Sequence, residues 1–389
     1  MASSAEHETR RRTVGIVAGE ASGDLLGSQL IAALRELAPQ LHFAGIGGPR
    51  MEAAGMEVWI PLEKLAVRGY FEVLKHFFEI VGIRRQLRRR FIANPPEVFI
   101  GIDAPDFNLA LELSLKARGI PTVHYVSPAI WMWRGERIHK IKRAVSKMLT
   151  LFPFEEPLYR QAGVDVAFVG HPLTDLLDQV PRRAAAREQL RLPLSAPVIA
   201  LLPGSRQSEL EYMAGLFIQT AKKINERMPQ ALFLTPLATR ETRAMFQTAL
   251  YRNQATELPL TVLFGHAQDA MSAADVVLVA SGTATLEAAL LGKPMVITYK
   301  MPAASYWLLK GKGYLPYYGL PNVLAGEFVV PELIQDDATP ENLSQALLNL
   351  LGDEPVRARL EHKFSAMSAS LQRGAARQAA RAVLPLLRA

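Results

Sequence analysis

Short apolar runs rich in Val, Ile and Phe alternate along the chain with longer segments in which apolar residues recur at helical spacing. The short runs have the length of buried strands, and the longer segments have the length of helices. This alternation predicts an α/β fold, with parallel sheets covered by helices on both faces. The predicted strands cover residues 13–19, 41–45, 97–102, 122–126, 147–151, 166–169, 198–202, 231–235, 261–264, 275–279 and 294–298.

The predicted strands form two sets, which are separated by a segment rich in Pro, Arg and Ala. Two sets predict two Rossmann-like doubly wound domains facing a central cleft. Beyond Pro340 the pattern becomes almost wholly helical. The predicted organisation is a disordered leader (1–12), an N-terminal domain (13–170), a linker (171–197), a second domain (198–345) and C-terminal helices (346–389), whose packing against the N-terminal domain is left open.

The composition excludes several kinds of chemistry. The 389 residues include no cysteine, so disulfides, thiolate metal ligands and cysteine nucleophiles are excluded. No apolar run reaches the roughly 18 residues that a membrane-spanning helix requires. The eight histidines are scattered without a zinc-like spacing, and no GxGxxG fingerprint is present. Neither a metal nor a cofactor is therefore expected, and an NAD-dependent oxidoreductase is set aside.

The net charge of +7 is concentrated between residues 64 and 91, where eight Lys and Arg residues stand against two Glu residues. Bulky apolar residues alternate with these charges, which is typical of an amphipathic helix at an anionic membrane surface. A core helix with a solvated basic end is the alternative interpretation. Nucleic acid is not an expected partner, because no RNA- or DNA-binding signature is present. The predicted membrane contacts are Val73, Leu74, Phe77, Phe78, Arg84, Arg85 and Arg88.

Loops that follow strands are the candidate sites, because ligands of doubly wound sheets bind at the carboxyl ends of the strands. The first such loop, GEASGD, combines Glu20, Ser22, Gly23 and Asp24 at a helix start, where backbone N–H groups can hold an anion or a sugar. Its two acids favour a sugar hydroxyl, or a phosphate offset by cations.

The stretch GIDAPDFN places two carboxylates after the third predicted strand. Asp103 comes too early to cap the following helix, so we interpret it as a candidate general base whose pKa burial could raise. Asp106 is either a second site residue or the N-cap of that helix, and Asn108 lies nearby.

Two loops of the second half resemble phosphate sites. In LPGSRQSEL, Arg206 can pair with a phosphate, and Glu209 either caps the helix or orients Arg206. In SGTATLE, a strand ends and a helix begins, so the N–H groups and the dipole of the helix favour a diphosphate. Glu287 lies too far into this helix to cap it, and it is placed to accept hydrogen bonds from a ribose. The predicted diphosphate residues are Ser281, Gly282, Thr283 and Thr285.

The motifs GEASGD, GIGGPRM, GIDAPDFN, SPAIWMWR, FPFE, FVGHP, LPGSR, SGTATLE and LPN occur in this order. From about Thr13 to the C-terminus the chain resembles the lipid-A-disaccharide synthase family, inverting glycosyltransferases with the two-domain GT-B fold. The resemblance implies transfer from UDP-2,3-diacylglucosamine to 2,3-diacylglucosamine 1-phosphate with formation of a β-1,6 bond. It also implies an acceptor-binding first domain, a donor-binding second domain, no metal, and work at the cytoplasmic face of the inner membrane.

The resemblance also implies roles for individual residues. Asp103 would be the base that deprotonates the acceptor 6-hydroxyl, and Arg206 would stabilise the charge on the departing UDP. Glu287 would bind the ribose, and Asn322 in the LPN motif would frame the donor site. The loop residues Glu20, Ser22 and Asp24 would line the acceptor side or the cleft.

Two alternatives stay open at this point. One is a different UDP-sugar enzyme on the same fold, such as the muramyl-lipid glycosyltransferase or a 2-epimerase. The other is a non-catalytic protein that binds a membrane surface. A homodimer is also left open.

Overall fold

A computed structural model describes residues 12–65, 73–303, 306–307 and 313–387 of the chain, with the backbone alone described for residues 73–77 and 178. Most of the predicted leader therefore lies outside the described residues. The chain forms two compact units: one contains the residues up to Pro172 together with Leu371–Ala389, and the other contains Leu173–Ser370. Among the described residues, no helix combines the length and the apolarity needed to cross a bilayer.

The first unit is built on a seven-stranded parallel sheet in the order β3-β2-β1-β4-β5-β6-β7. The central strands are apolar and buried on both faces, as expected for a parallel sheet covered by helices. The order reverses once, between β1 and β4. The strands are β1 Thr13–Ala18, β2 His42–Gly47, β3 Glu57–Pro61, β4 Val98–Ile102, β5 Thr122–Tyr125, β6 Lys147–Thr150 and β7 Val166–Phe168.

Helices cover both faces of this sheet. Apolar residues of α1 and α16 share one core cluster with β1 and β4, and the buried side of α3 lies in a second cluster with β1 and β4. The helices are α1 Ala21–Leu37, α2 Pro49–Ala53, α3 Val73–Ala93, α4 Pro105–Lys116, α5 Arg137–Ala144, α6 Glu155–Gln161 and, from the end of the chain, α16 Ala375–Val383.

The second unit repeats the design with six parallel strands in the order β10-β9-β8-β11-β12-β13, which reverses between β8 and β11. Its strands are β8 Val198–Leu202, β9 Leu232–Leu237, β10 Leu260–Phe264, β11 Val276–Ala280, β12 Met295–Tyr299 and β13 Glu332–Ile334. Its helices are α7 Pro172–Asp175 at the boundary, α8 Arg183–Gln189, α9 Gln207–Arg227, α10 Arg240–Arg252, α11 Ala267–Ala273, α12 Thr283–Leu290, α13 Leu320–Ala325, α14 Pro340–Gly352 and α15 Glu354–Leu371.

All the predicted strands are present, with ends shifted by at most one or two residues, and the predicted α/β class with two doubly wound sheets is confirmed. The strands β3 and β13 were not predicted. Both lie at the edge of a sheet and are only partly buried, and β13 has three residues, so neither produces a buried apolar run.

The structure differs from the predicted linker at residues 171–197, because this segment belongs to the second unit from Leu173 onward. The reason is Arg187 of α8, whose side chain is fully buried. Its guanidinium pairs with Asp275 at 2.8 Å and donates hydrogen bonds to four backbone carbonyls, those of Ala273, Pro193, Leu194 and Ala196. The segment is therefore fixed to the second sheet, although its composition is typical of a linker.

The C-terminal helices, whose packing the sequence left open, divide between the two units. Leu343 and Leu347 of α14 and Leu360 and Phe364 of α15 lie in the core of the second unit. The last helix, α16, packs on α1 of the first unit through Ala379, Ala380 and Val383, among others.

Candidate functional site

The second unit contains a pocket of about 450 Å³ at the carboxyl edge of its sheet. The loops that follow β8, β9, β10 and β11 contribute to the pocket lining, together with Tyr299 at the end of β12. The pocket therefore lies where the strand order reverses, which is the usual ligand position in a doubly wound sheet.

The start of α12 forms one wall of this pocket. The buried strand β11 ends at Ala280, and the helix begins two residues after Ser281, which leaves its first N–H groups without partners inside the helix. Ser281, Gly282 and Thr283 line the pocket, so these N–H groups and the helix dipole favour an anion there. Thr285 is buried instead, and its hydroxyl donates to the carbonyl of Gly282 at 2.7 Å, which fixes the turn.

Glu287 lines the same pocket one helical turn further on. Partial burial raises the pKa of its carboxyl group by desolvation. Within the part of the chain that the structure describes, no hydrogen-bond donor is assigned to this carboxylate. A half-buried acid without a donor is costly, and hydroxyl groups of a bound ligand would satisfy it.

Arg206 and Glu209 lie on the opposite side, at the start of α9. The Glu209 carboxylate accepts hydrogen bonds from the N–H groups of Ser205 (2.9 Å) and Arg206 (3.2 Å), so it caps the helix. Gly204 has a φ of +123°, and a Cβ there would lie 2.5 Å from Glu209 Oε2. The Arg206 side chain is 73% exposed while still lining the pocket, so its guanidinium is available to a ligand.

The resemblance assigns Asn322 to the frame of the donor site, and the structure places this residue within the loop between β12 and β13. Its side chain is fully buried, accepts from the N–H groups of Val329 and Val330, and donates to Val330 O and to Glu332 Oε1. It therefore holds the loop between β12 and β13 together. Glu332, which sequence reasoning missed because it lies on an unpredicted edge strand, also accepts from the N–H of Tyr318 at 2.8 Å.

In the first unit, the loops after β1 and β4 come together at the point where the strand order reverses. A Cβ on Gly19 would lie 2.6 Å from the Cβ of Ala104, so the two loops are in contact and glycine is required. Glu20 and Ser22 are exposed at this edge, and Gly23 is buried against β1. The structure thus brings the GEASGD and GIDAPD motifs together.

Asp103 has an unusual backbone conformation at this edge. Its φ is +52° and that of Ala104 is +43°, and two successive left-handed residues without glycine store strain of about 1–3 kcal/mol each. The Asn108 side chain stabilises this turn, because its buried amide donates to the carbonyls of Asp103 (2.8 Å) and Ile102 (3.3 Å). Asn108 therefore fixes the backbone of the turn at Asp103.

Asp24 supports a neighbouring loop. The carboxylate is 4% exposed and accepts hydrogen bonds from the N–H groups of Gly48 (2.9 Å), Arg50 (3.1 Å) and Met51 (3.0 Å). These bonds cap α2 and fix the GIGGPRM loop. Both oxygens of Asp24 are thus already engaged by the backbone.

Asp106 does not cap α4, because Ala104 occupies the N-cap position. The side chain is exposed and pairs with Arg137 at 2.9 Å. The alternative interpretation of Asp106 as an N-cap is therefore wrong.

The loops after β5 and β6 contain an acid that sequence reasoning missed. Glu155 is 2% exposed and accepts hydrogen bonds from Trp131 Nε1 and from the N–H of Phe152, both at 3.1 Å. Burial raises the pKa of Glu155 to about 7. Trp131 also packs edge-on against Phe154, with ring centroids 5.1 Å apart. The FPFE motif directly after a strand was the available signal.

The basic helix α3 is partly a core helix. Ile83, Leu87 and Phe91 are buried, whereas Phe78 is 72% exposed. Of the predicted basic contacts, Arg85 and Arg88 are exposed and Arg84 is half-buried. The side chains of the other predicted contacts, Val73, Leu74 and Phe77, lie outside the described residues.

Two doubly wound parallel sheets, one of them with a nucleotide-sized pocket at its point of reversal, define a GT-B fold. Solved structures of this architecture include UDP-GlcNAc 2-epimerase from Neisseria meningitidis, at a TM-score of 0.66 and 12% identity over 96% of this chain and 99% of that chain. MurG from Acinetobacter baumannii is similar at a TM-score of 0.55 and 16% identity, over 96% of this chain and 99% of that one.

The sequence comparisons are more specific than the fold. The family described as Lipid-A-disaccharide synthetase matches residues 14–384. The lipid-A-disaccharide synthases of Dechloromonas aromatica and Methylobacillus flagellatus are each 56% identical, over 96% and 97% of this chain and 98% and 100% of their own lengths. The chain therefore belongs to the lipid-A-disaccharide synthase family, glycosyltransferases that act on a UDP-sugar donor and a lipid acceptor.

The raised pKa of Glu155 makes folding stability depend on pH. Between pH 4.5 and 7 the folded state keeps a proton that the unfolded state has released, so this residue's contribution falls as pH rises. The unfolding free energy of the wild type should therefore fall by about 3 kcal/mol relative to that of Glu155→Gln between pH 4.5 and 7.5. Urea titrations at several pH values measure this difference. Parallel pH curves for the two proteins would contradict the assignment.

Proposed function

We propose that the protein transfers 2,3-diacylglucosamine from UDP-2,3-diacylglucosamine to the 6-hydroxyl of 2,3-diacylglucosamine 1-phosphate. The products are the β-1,6-linked disaccharide 1-phosphate and UDP. Family membership supplies the reaction class. The observation that supports the residue assignments most strongly is the pocket of the second sheet, in which a helix start lies beside an acid, Glu287, without an assigned donor.

The pocket is suited to UDP. The diphosphate would accept hydrogen bonds from the N–H groups at the start of α12, and the ribose hydroxyls would donate to Glu287. The exposed guanidinium of Arg206 would stabilise the negative charge that develops on UDP as the bond to the sugar breaks. The Glu209 cap and the buried Thr285 would keep these two helix starts in place.

Asp103 would act as the general base. The acceptor oxygen forms its bond to the anomeric carbon while its proton passes to the Asp103 carboxylate, and the electrons of the broken bond remain on the oxygen of UDP. The strained turn held by Asn108 supports this role, because strain of this kind persists where the surrounding structure fixes it. Glu20 and Ser22, exposed on the adjoining loop, would contact the acceptor sugar.

Both substrates carry acyl chains, so the enzyme must obtain them from a membrane. The exposed arginines of α3, together with exposed Phe78, suit an anionic bilayer surface. We therefore propose peripheral binding at the cytoplasmic face of the inner membrane.

Asp103→Asn should lower kcat by at least about a hundredfold, because the base is lost while the shape is kept. UDP affinity should not change. Asp106→Asn is the matched control, since this exposed acid lies three residues away in the first turn of α4 and, in the part described, its carboxylate pairs with half-buried Arg137. UDP release that depends on both substrates is the assay. An equal loss in the two variants would remove Asp103 as the base.

Glu287→Gln should weaken UDP binding about tenfold, because hydrogen bonds to a charged acceptor contribute roughly 1.5–3 kcal/mol. The same substitution should leave the affinity for 2′,3′-dideoxy-UDP unchanged, because that ligand lacks both ribose hydroxyls. Calorimetric titration measures both constants. A loss of the same size for both nucleotides would mean that Glu287 does not bind the ribose.

Arg85→Glu with Arg88→Glu should weaken sedimentation with phosphatidylglycerol vesicles at least tenfold at low salt, since each basic residue near such a surface contributes about 1 kcal/mol. Arg240→Glu with Arg243→Glu is the control, an exposed pair at the same spacing on α10. If both pairs reduce binding equally, the effect comes from net charge and α3 is not the membrane surface.

A further inference from the structure

The loop between β12 and β13 carries an unusual number of exposed aromatic side chains. We use the name aromatic loop for its described residues 313–328. Clusters of exposed apolar residues often mark binding surfaces, whereas single exposed apolar residues are common on any protein. The large apolar residues of this loop that lie open to solvent are Tyr314, Leu315, Tyr318 and Phe328.

Hydrogen bonds and a ring contact fix the backbone that carries these side chains. The ring of Tyr317 packs edge-on against Phe328 at a centroid distance of 4.8 Å, and its hydroxyl donates to Gly326 O at 2.6 Å. Glu332 accepts from the N–H groups of Tyr318 and Gly319, both at 2.8 Å. The loop therefore presents a preorganised surface, which lowers the entropic cost of binding a ligand.

The aromatic loop is joined directly to the nucleotide pocket. The hydroxyl of Ser281, at the start of α12, donates to the carbonyl of Tyr318 at 3.0 Å. Tyr299, which precedes the loop at the end of β12, also lines the pocket. A sugar attached to a diphosphate at the start of α12 would thus be close to Tyr318.

The chemistry of the loop is apolar. The aromatic loop contains no basic residue and one charged side chain, Glu327, which pairs with Lys363, in contrast to the arginine-rich α3. A surface that contacts anionic headgroups has basic residues among its apolar ones, so this composition suits hydrocarbon more than a bilayer surface. In the pocket beside it, Gly204, Ser205 and Thr283 lie at or next to the starts of α9 and α12, where the N–H groups favour the diphosphate rather than an acyl chain.

We propose that the aromatic loop binds the acyl chains of the UDP-sugar donor, and so selects a diacylated donor over a plain UDP-sugar. This inference rests on the proposed function. The donor sugar is joined to the β-phosphate through one oxygen, and its two acyl groups are attached at neighbouring positions. A nucleotide held at α12 therefore brings these chains to the surface that begins at Tyr318.

The test compares two ligands in vesicle-free buffer: UDP, and UDP-2,3-diacylglucosamine with acyl chains short enough to stay monomeric. Tyr318→Ser with Phe328→Ser is the test variant. Tyr251→Ser with Leu194→Ser is the matched control, because this exposed tyrosine and leucine belong to the same unit but lie near the end of α10 and before β8, away from the carboxyl edge of the sheet.

The wild type and the control should bind the diacylated donor more tightly than UDP. The test variant should bind UDP with an unchanged Kd, which also shows that the pocket is folded, and should bind the diacylated donor about tenfold more weakly. Equal weakening of both ligands, or no weakening of either, would overturn the inference. A wild type that does not bind UDP would instead overturn the nucleotide site of the proposed function.

Discussion

The strand order of each sheet reverses once, and the rest of the molecule depends on this constraint. On either side of the reversal, the connections leave neighbouring strands toward opposite faces, so a gap opens at the carboxyl edge between them. In the second sheet the gap is the pocket that the start of α12 lines. In the first sheet it is the meeting point of the loops after β1 and β4. The strand order therefore determines where the gap of each unit lies, whichever side chains line it.

Polar groups that bind the protein backbone fix the loops around the gap. Loops at strand ends expose N–H and C=O groups that the sheet cannot satisfy, and each buried one requires a partner. Asp24, Asn108, Glu209 and Asn322 perform this work by binding the backbone of neighbouring loops. Polar residues at such an edge thus include those that hold loops and those, such as Glu287, that face the pocket without an assigned donor in the part of the chain described, while Glu209 both caps a helix and lines the pocket.

That division explains how far the sequence could be interpreted. Buried parallel strands are continuous apolar runs, so β1 or β11 could be predicted, whereas the short edge strand β13 could not. Residue type and position after a strand were sufficient to select Asp103, Arg206 and Glu287 as candidates. They could not separate a substrate contact from a loop support, because the partners of Asp24 lie more than 20 residues away in the sequence.

The left-handed turn at Asp103 and Ala104 has a consequence for protein engineering. A glycine at position 104 would relax the backbone, so selection for thermal stability alone would favour it. A relaxed turn would also loosen the backbone that carries Asp103. With Asp103 as the proposed general base, stabilising design at this position would trade turnover for heat resistance, and directed evolution under an activity screen should avoid it.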